Sequence, residues 1–253
     1  VIGMAGSLIG RGRYAEAISL IERSERAAVA TYADGFYVNR PGWMRFYLAY
    51  ALEGSEQAAR DVLERLESEI SVEGLSSRSE AWSNLMLFHA LAGNVDRAAE
   101  MFEIYGNDVP PEERGWQYRI NSTSLEAFRA LGVGDYSEAA SGFDILLSEI
   151  YSCTSVCFHH ALRGTALESA GRKEDAVAQY EAHLMGVPLT RSAILTLWTP
   201  TVMERLAGLY AEQGDAERAV EILESLVARY SDGDGPFLAY VNRAQRRLGE
   251  LRE

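Results

Sequence analysis

The sequence predicts an all-α fold, a right-handed α-solenoid of about six helical hairpins finished by a C-terminal capping helix. The first observation is the stretch from Met203 to Leu226. Apolar residues recur there at helical spacing on both sides of Gly214-Asp215: Met203, Leu206, Ala207 and Tyr210 before, Ala219, Val220, Leu223 and Leu226 after. Gly214 suits a left-handed helix end, and Asp215 suits the cap of the next helix. The second observation is that this unit recurs. A turn glycine is followed five residues on by alanine and nine on by a bulky apolar residue: Gly12/Ala17/Ile21, Gly54/Ala59/Leu63, Gly93/Ala98/Phe102, Gly134/Ala139/Phe143, Gly171/Ala176/Tyr180 and Gly214/Ala219/Leu223. The third is even spacing, since successive glycines lie 42, 39, 41, 37 and 43 residues apart. Alanine lets two antiparallel helices approach, the bulky residue one turn on fills the gap to the next pair, and stacked pairs bury faces that one pair leaves wet.

Taken in order, the periodicity predicts helices over 1–11 and 13–30, then 42–53 and 55–70. The third pair covers 77–92 and 95–105, and the fourth 113–132 and 135–151. The fifth covers 156–170 and 173–185, and the sixth 200–213 and 215–230. A last helix, Pro236 to Leu251, sets Phe237, Tyr240, Val241, Ala244 and Leu248 on one side and Asn242, Arg243, Gln245, Arg246 and Arg247 on the other. A terminal cap needs that division, because nothing further covers it. Three connectors interrupt the pattern: Thr31 to Gly42, Gly106 to Tyr118 with Trp116, and Gly186 to Pro200 with Leu195, Leu197 and Trp198. Each is long for a helix connection, and their aromatics are expected to tuck over helix ends.

Several units resemble the tetratricopeptide repeat, with its W-x₂-L-G-x₂-Y…A-x₃-F…P pattern. Trp43-x₂-Phe46-Tyr47-x₂-Tyr50 precedes Ala59-x₃-Leu63, and Trp82-x₂-Leu85-Met86-x₂-His89 precedes Ala98-x₃-Phe102. His160-x₂-Arg163-Gly164-x₂-Leu167 precedes Ala176-x₃-Tyr180, with Pro188 at the closing proline position. Met203-x₂-Leu206-Ala207-x₂-Tyr210 precedes Ala219-x₃-Leu223. The spacing near 40 exceeds the family's 34, and the fourth unit is out of register, with Thr123 where a large residue belongs. The run from Leu197-Trp198-Thr-Pro200 to Ala244-x₃-Leu248 looks like the ends of large bacterial signalling proteins, where such arrays follow a kinase, cyclase or transcription-activator domain. That resemblance suggests a context and transfers no activity.

Composition narrows the function. Residues 1–253 read as one domain, 47% hydrophobic, with no Pro/Ser-rich linker. The helical pattern is under way at Val1, which implies a piece of a longer polypeptide. A net charge of −13 argues against nucleic acid and anionic membranes. No run reaches the roughly 18 apolar residues of a membrane span. Two cysteines make no disulfide framework, so a reducing, cytoplasmic setting is the default. Cys153, Cys157 and His160 share a helix face, yet a structural zinc site needs a fourth ligand, and His160 holds a packing position. We expect no metal and no cofactor. No phosphate loop, nucleophile elbow or paired base occurs, so the chain is read as non-catalytic.

The resemblance implies that first helices line a concave groove that takes an extended peptide or a helix. The positions expected to contact a partner are Met44, Arg45 and Leu48 in the second unit and Ser83, Asn84 and Leu87 in the third. The fifth offers Thr165 and Glu168, and the sixth Glu204 and Glu212. The expected function is a protein–protein interaction scaffold or regulatory segment of a larger bacterial protein. The alternative is a sensor of a small molecule or peptide.

Overall fold

In the computed structural model, residues 2–31, 36–69, 75–149, 153–186 and 193–253 are described. Thirteen α-helices follow one another, with no strand among these residues: α1 Ile2–Ile9, α2 Tyr14–Thr31, α3 Phe36–Tyr47, α4 Glu56–Glu69, α5 Glu80–Leu91, α6 Val95–Asp108 and α7 Trp116–Val133. Then come α8 Tyr136–Glu149, α9 Cys153–Ser169, α10 Lys173–Gly186, α11 Ala193–Glu212, α12 Ala216–Tyr230 and α13 Pro236–Arg252. A π-helical turn, Leu48–Leu52, extends α3. Helices α1 to α12 pair as six antiparallel hairpins, and α13 lies on the last of them.

The repeated turn has one physical form. All six turn glycines adopt φ between +64° and +82°, where a Cβ is penalised. In five hairpins the amide after the glycine donates to the carbonyl five residues back: Arg13 to Leu8, Asn94 to His89, Asp135 to Ala130, Arg172 to Leu167 and Asp215 to Tyr210, at 2.8–2.9 Å. In hairpin 2 the bond reaches one residue further, from Ser55 to Ala49, because the π turn inserts a residue there. The six alanines that follow are fully buried, at 0% exposure. Five of their bulky partners are buried as well, and Phe102 is half-buried. Asp215 caps α12, its carboxylate accepting from the Arg218 amide at 3.1 Å. Along α13, Phe237, Tyr240, Val241, Ala244 and Leu248 are buried while Asn242, Gln245 and Arg246 are exposed, the division a terminal cap requires.

The connectors differ from expectation. Helix α3 is already helical at Phe36, and Pro41 and Gly42 lie inside it. Pro41 removes one backbone hydrogen bond and crowds the preceding turn, a cost that the packing of α3 offsets. Gly42 permits a close crossing, since a Cβ there would overlap the Leu66 side chain. Helix α11 begins at Ala193 and contains Pro200, so Leu197 and Trp198 are core residues and not a connector. In the 106–118 connector, Pro111–Glu113 forms a 3₁₀ turn and Trp116 is 50% exposed instead of tucked in. Tyr118 packs there instead, stacked on Tyr105 at 5.4 Å. The expected tucking of Tyr32, Phe36 and Tyr37, and the place of Pro188 and Leu195, fall outside the described residues and side chains.

The stack also closes on itself. Helix α1 packs against α11, as does the π turn of hairpin 2. The Asp234 carboxylate accepts from the amides of Tyr14 and Ala15, and the Asp234 amide donates to Gly12 O at 3.0 Å. Asp234 thereby caps the start of α2 from 220 residues away. A Cβ on Gly12 would lie 3.0 Å from Gly233 Cα, so glycines on both sides permit this approach. Thr201 Oγ1 donates to Ala51 O at 3.0 Å, and Tyr240 Oη donates to Leu52 O at 3.2 Å. Those carbonyls end the π turn, where the helix supplies no donor of its own.

Candidate functional site

Closure decides what the inner face looks like. Tyr47 of α3 meets Phe88 of α5 at 5.2 Å, Phe158 of α9 at 5.9 Å and Trp198 of α11 at 5.2 Å. Phe46 stacks on Phe88 at 4.3 Å. Aromatic rings from four first helices thus fill the centre, where an open superhelix would leave a groove. His159 lies within 6.2 Å of Phe128, Phe143 and Phe158, and burial pushes its imidazole down to about 3. Burial likewise raises the Tyr47 hydroxyl well above its ordinary value.

The residues expected to line a groove are brought into this architecture unevenly. Met44 and Leu48 are 2% and 1% exposed, so in the closed ring they belong to the core and offer no surface to a partner. Several of the others brace one hairpin against the next. Arg45 pairs with Glu22 at 3.0 Å and with Glu25 at 3.1 Å. Ser83 Oγ accepts from Asn121 Nδ2 at 3.2 Å, and Asn84 is also engaged within the protein. Leu87 is half-buried against the core. Thr165 Oγ1 donates to Ala161 O. Glu168 accepts from Tyr180 at 2.7 Å and from Arg205 at 2.9 Å. Glu204 takes both arms of the Arg243 guanidinium at 2.6 and 2.9 Å. Glu212, at the exposed rim, meets Lys173 at 2.8 Å.

An open apolar surface lies elsewhere. A trough of about 470 Å³ runs between α10, α11 and α12. Leu184, Met185, Met203, Leu206 and Ile222 form its walls, and Glu181, Arg218 and Glu221 its rim. Met185 is 69% exposed there. The Tyr210 hydroxyl donates to Glu181 and accepts from Arg218, whose guanidinium lies 5.3 Å from the Tyr210 ring centroid. The expected site residues miss this trough entirely. The available signal was the pair Met185 and Ile222, apolar yet off the buried stripe of their helices.

Among the described residues no group of three or more His, Cys, Asp or Glu could hold a metal ion. The side chains of Cys153 and Cys157, and with them the zinc arrangement weighed above, lie outside the described set. No described helix is long and apolar enough to cross a membrane.

The fold and its repeated turn define a class: stacked helical-hairpin repeat proteins. Residues 201–233, most of hairpin 6 and the start of the turn after it, match the tetratricopeptide repeat family model. A solved structure, the P58(IPK) tetratricopeptide repeat domain, matches at 18% identity over 96% of this chain, with a TM-score of 0.39. The chain spans 63% of that structure's length. No curated protein matches the chain.

Proposed function

We propose that the chain is a non-catalytic protein-interaction scaffold whose outer trough along α10–α12 takes an apolar segment of a partner. The observation that supports this is the trough itself. It sets the exposed Met185 between half-buried Leu184 and Ile222, edged by charge, on a chain whose inner face is filled by its own side chains. Apolar walls with a few polar groups at the rim suit a helix laid in a groove. The rim holds two acids and one base, and the net charge is −13, so a partner segment with basic flanks is favoured. The residues Met44, Arg45, Leu48, Ser83, Asn84, Leu87, Thr165, Glu168 and Glu204 serve a partner only if the ring opens, whereas Glu212 stands at the exposed rim. A role as a regulatory segment of a larger bacterial signalling protein belongs to this same proposal.

Selection of displayed helical peptides against the protein tests it. Selected peptides should lose at least tenfold in affinity on Met185→Asp or Ile222→Asp, with the melting temperature held. Affinity that survives both substitutions removes the trough from the account. A trough of this volume also matches the size range of small-ligand sites. Stabilisation by a small ligand at modest excess, lost on Ile222→Asp, would favour the sensor reading.

A further inference from the structure

The trough along α10–α12 has a counterpart one hairpin earlier, between α8, α9 and α10. Gly171 and Gly214 set α9 and α10 against α11 and α12 at an interval of 43 residues, and Gly134 and Gly171 set α8 against α10 at 37. Met203, Leu206 and Ile222 of the trough then correspond to His160, Arg163 and Gln179, and Glu181 corresponds to Asp144. In the earlier groove the chain joins these four positions itself. Arg163 of α9 reaches Asp144 of α8 at 2.8 Å, with its side chain 21% exposed, and His160 pairs with Gln179 of α10 at 2.9 Å. In the trough the same positions hold no cation and no donor. Met203 and Leu206 end in the floor, and Glu181 accepts from the Tyr210 hydroxyl of its own chain. A second acid, Glu221, stands exposed on the rim where the earlier groove has Ala178. Among the described residues Glu221 has no ion pair.

We propose that the partner of this trough anchors in it through an arginine, which supplies there the guanidinium that Arg163 supplies one hairpin earlier. An arginine stem is apolar and long enough to lie along Leu206 and Ile222 while its head stays at the wet rim. The head meets Glu221, a carboxylate whose charge nothing described on this chain balances, and the planar fork suits a carboxylate better than an ammonium does. A wholly apolar anchor would fill the floor and leave Glu221 partly desolvated without a partner. An acidic anchor would face two carboxylates, Glu181 and Glu221. This inference rests on the trough being the binding surface, and it concentrates the basic character of the partner in one side chain inside it.

The probes are n-butylguanidinium, an arginine side chain freed of its backbone, and its neutral analogue n-butylurea. Each is titrated against the whole protein labelled at methionine and isoleucine methyl groups. The Met185 and Ile222 signals should shift saturably with the guanidinium, about fivefold tighter than with the urea, the worth of one partly exposed ion pair. Glu221→Gln should bring the two probes within about twofold of each other. Glu217→Gln, on the same helix but outside the lining, should leave the preference as it is. Equal affinity of the two probes for the unaltered protein overturns the proposal, as does a preference that survives Glu221→Gln or silence of both signals with either probe. Each of those results leaves the trough itself standing if selected peptides still lose affinity on Ile222→Asp. Peptides that keep their affinity on both Met185→Asp and Ile222→Asp remove the trough, and the arginine anchor with it.

Discussion

Replacing Tyr240 with Phe tests ring closure at its narrowest point. Thr201 gives its hydroxyl proton to Ala51 O, so the Tyr240 proton is shared between Thr201 Oγ1 at 2.6 Å and Leu52 O at 3.2 Å. Phenylalanine keeps the ring in its place and removes that proton, leaving a buried helix-end carbonyl without its distant donor. Such a loss costs roughly 1–3 kcal/mol. At this chain length about 2 kcal/mol lowers the melting temperature by about 4–8 °C. Thr201→Val should add to this less than independently, since the two hydroxyls touch. Arg252→Ala is the control, because Arg252 and Glu224 are each more than half exposed and their pair should be worth less than about 1 kcal/mol. Calorimetry reads the stability, and amide exchange at Tyr14 and Asp234 reads the seam, where both amides should exchange faster in the variant. Small-angle scattering reads the shape. Compact scaling for this length gives a radius of gyration of about 18 Å. A melting temperature unchanged within about 1 °C, or a wild-type radius several ångströms larger, would refute the reasoning and return the inner face to solvent.

Other outcomes follow from single positions. His159 is held neutral by burial, with its pKa lowered to about 3. The unfolded chain then binds more protons below its ordinary value of about 6.5, and the stability His159 allows at neutral pH is lost as pH falls from there toward 3. By pH 5 the loss is about 2 kcal/mol relative to His159→Phe, read by urea unfolding at both pH values; equal slopes for the two proteins would count against it. Two glycine substitutions should differ in mechanism. Gly214→Ala meets nothing within 4 Å, so its cost of about 1 kcal/mol comes from a φ of +82° alone. Gly164→Ala puts a Cβ 2.4 Å from the Tyr180 ring and should cost about 1–3 kcal/mol through overpacking. A Tyr180→Leu background should relieve the second and leave the first unchanged.

The hairpins were legible because their determinants are local. One glycine fixes a backbone conformation, and one alanine fixes a crossing, within a dozen residues of each other. The cap was legible for a similar reason, since α13 separates its apolar and polar residues by helical period. Closure was not legible. It depends on a small rotation between neighbours summed over six hairpins, and no single residue encodes that sum. The pairing of Asp234 with Tyr14, or of Thr201 with Ala51, has no signature in either segment alone. Pro200 misled for another reason. Burial of Leu197 and Trp198, with Trp198 against Tyr47 and Phe158, outweighs one missing amide. Met44 and Leu48 are buried, where the sequence reading expected them to line a groove. What their identity could not state is that the opposite arc of the ring would fill it. The outer trough escaped notice because a few apolar residues outside a core stripe are common on any surface.

An open array unfolds piecemeal, because each unit answers only to its two neighbours. The bridge from Asp234 to Tyr14 removes that independence. The first and last units become neighbours, so deleting either one breaks two joints instead of one. Bringing partners 220 residues apart together also carries a large loop-closure cost, which places this joint late in folding. The chain should therefore melt in one cooperative step, and shortened versions should lose much more than a sixth of the whole.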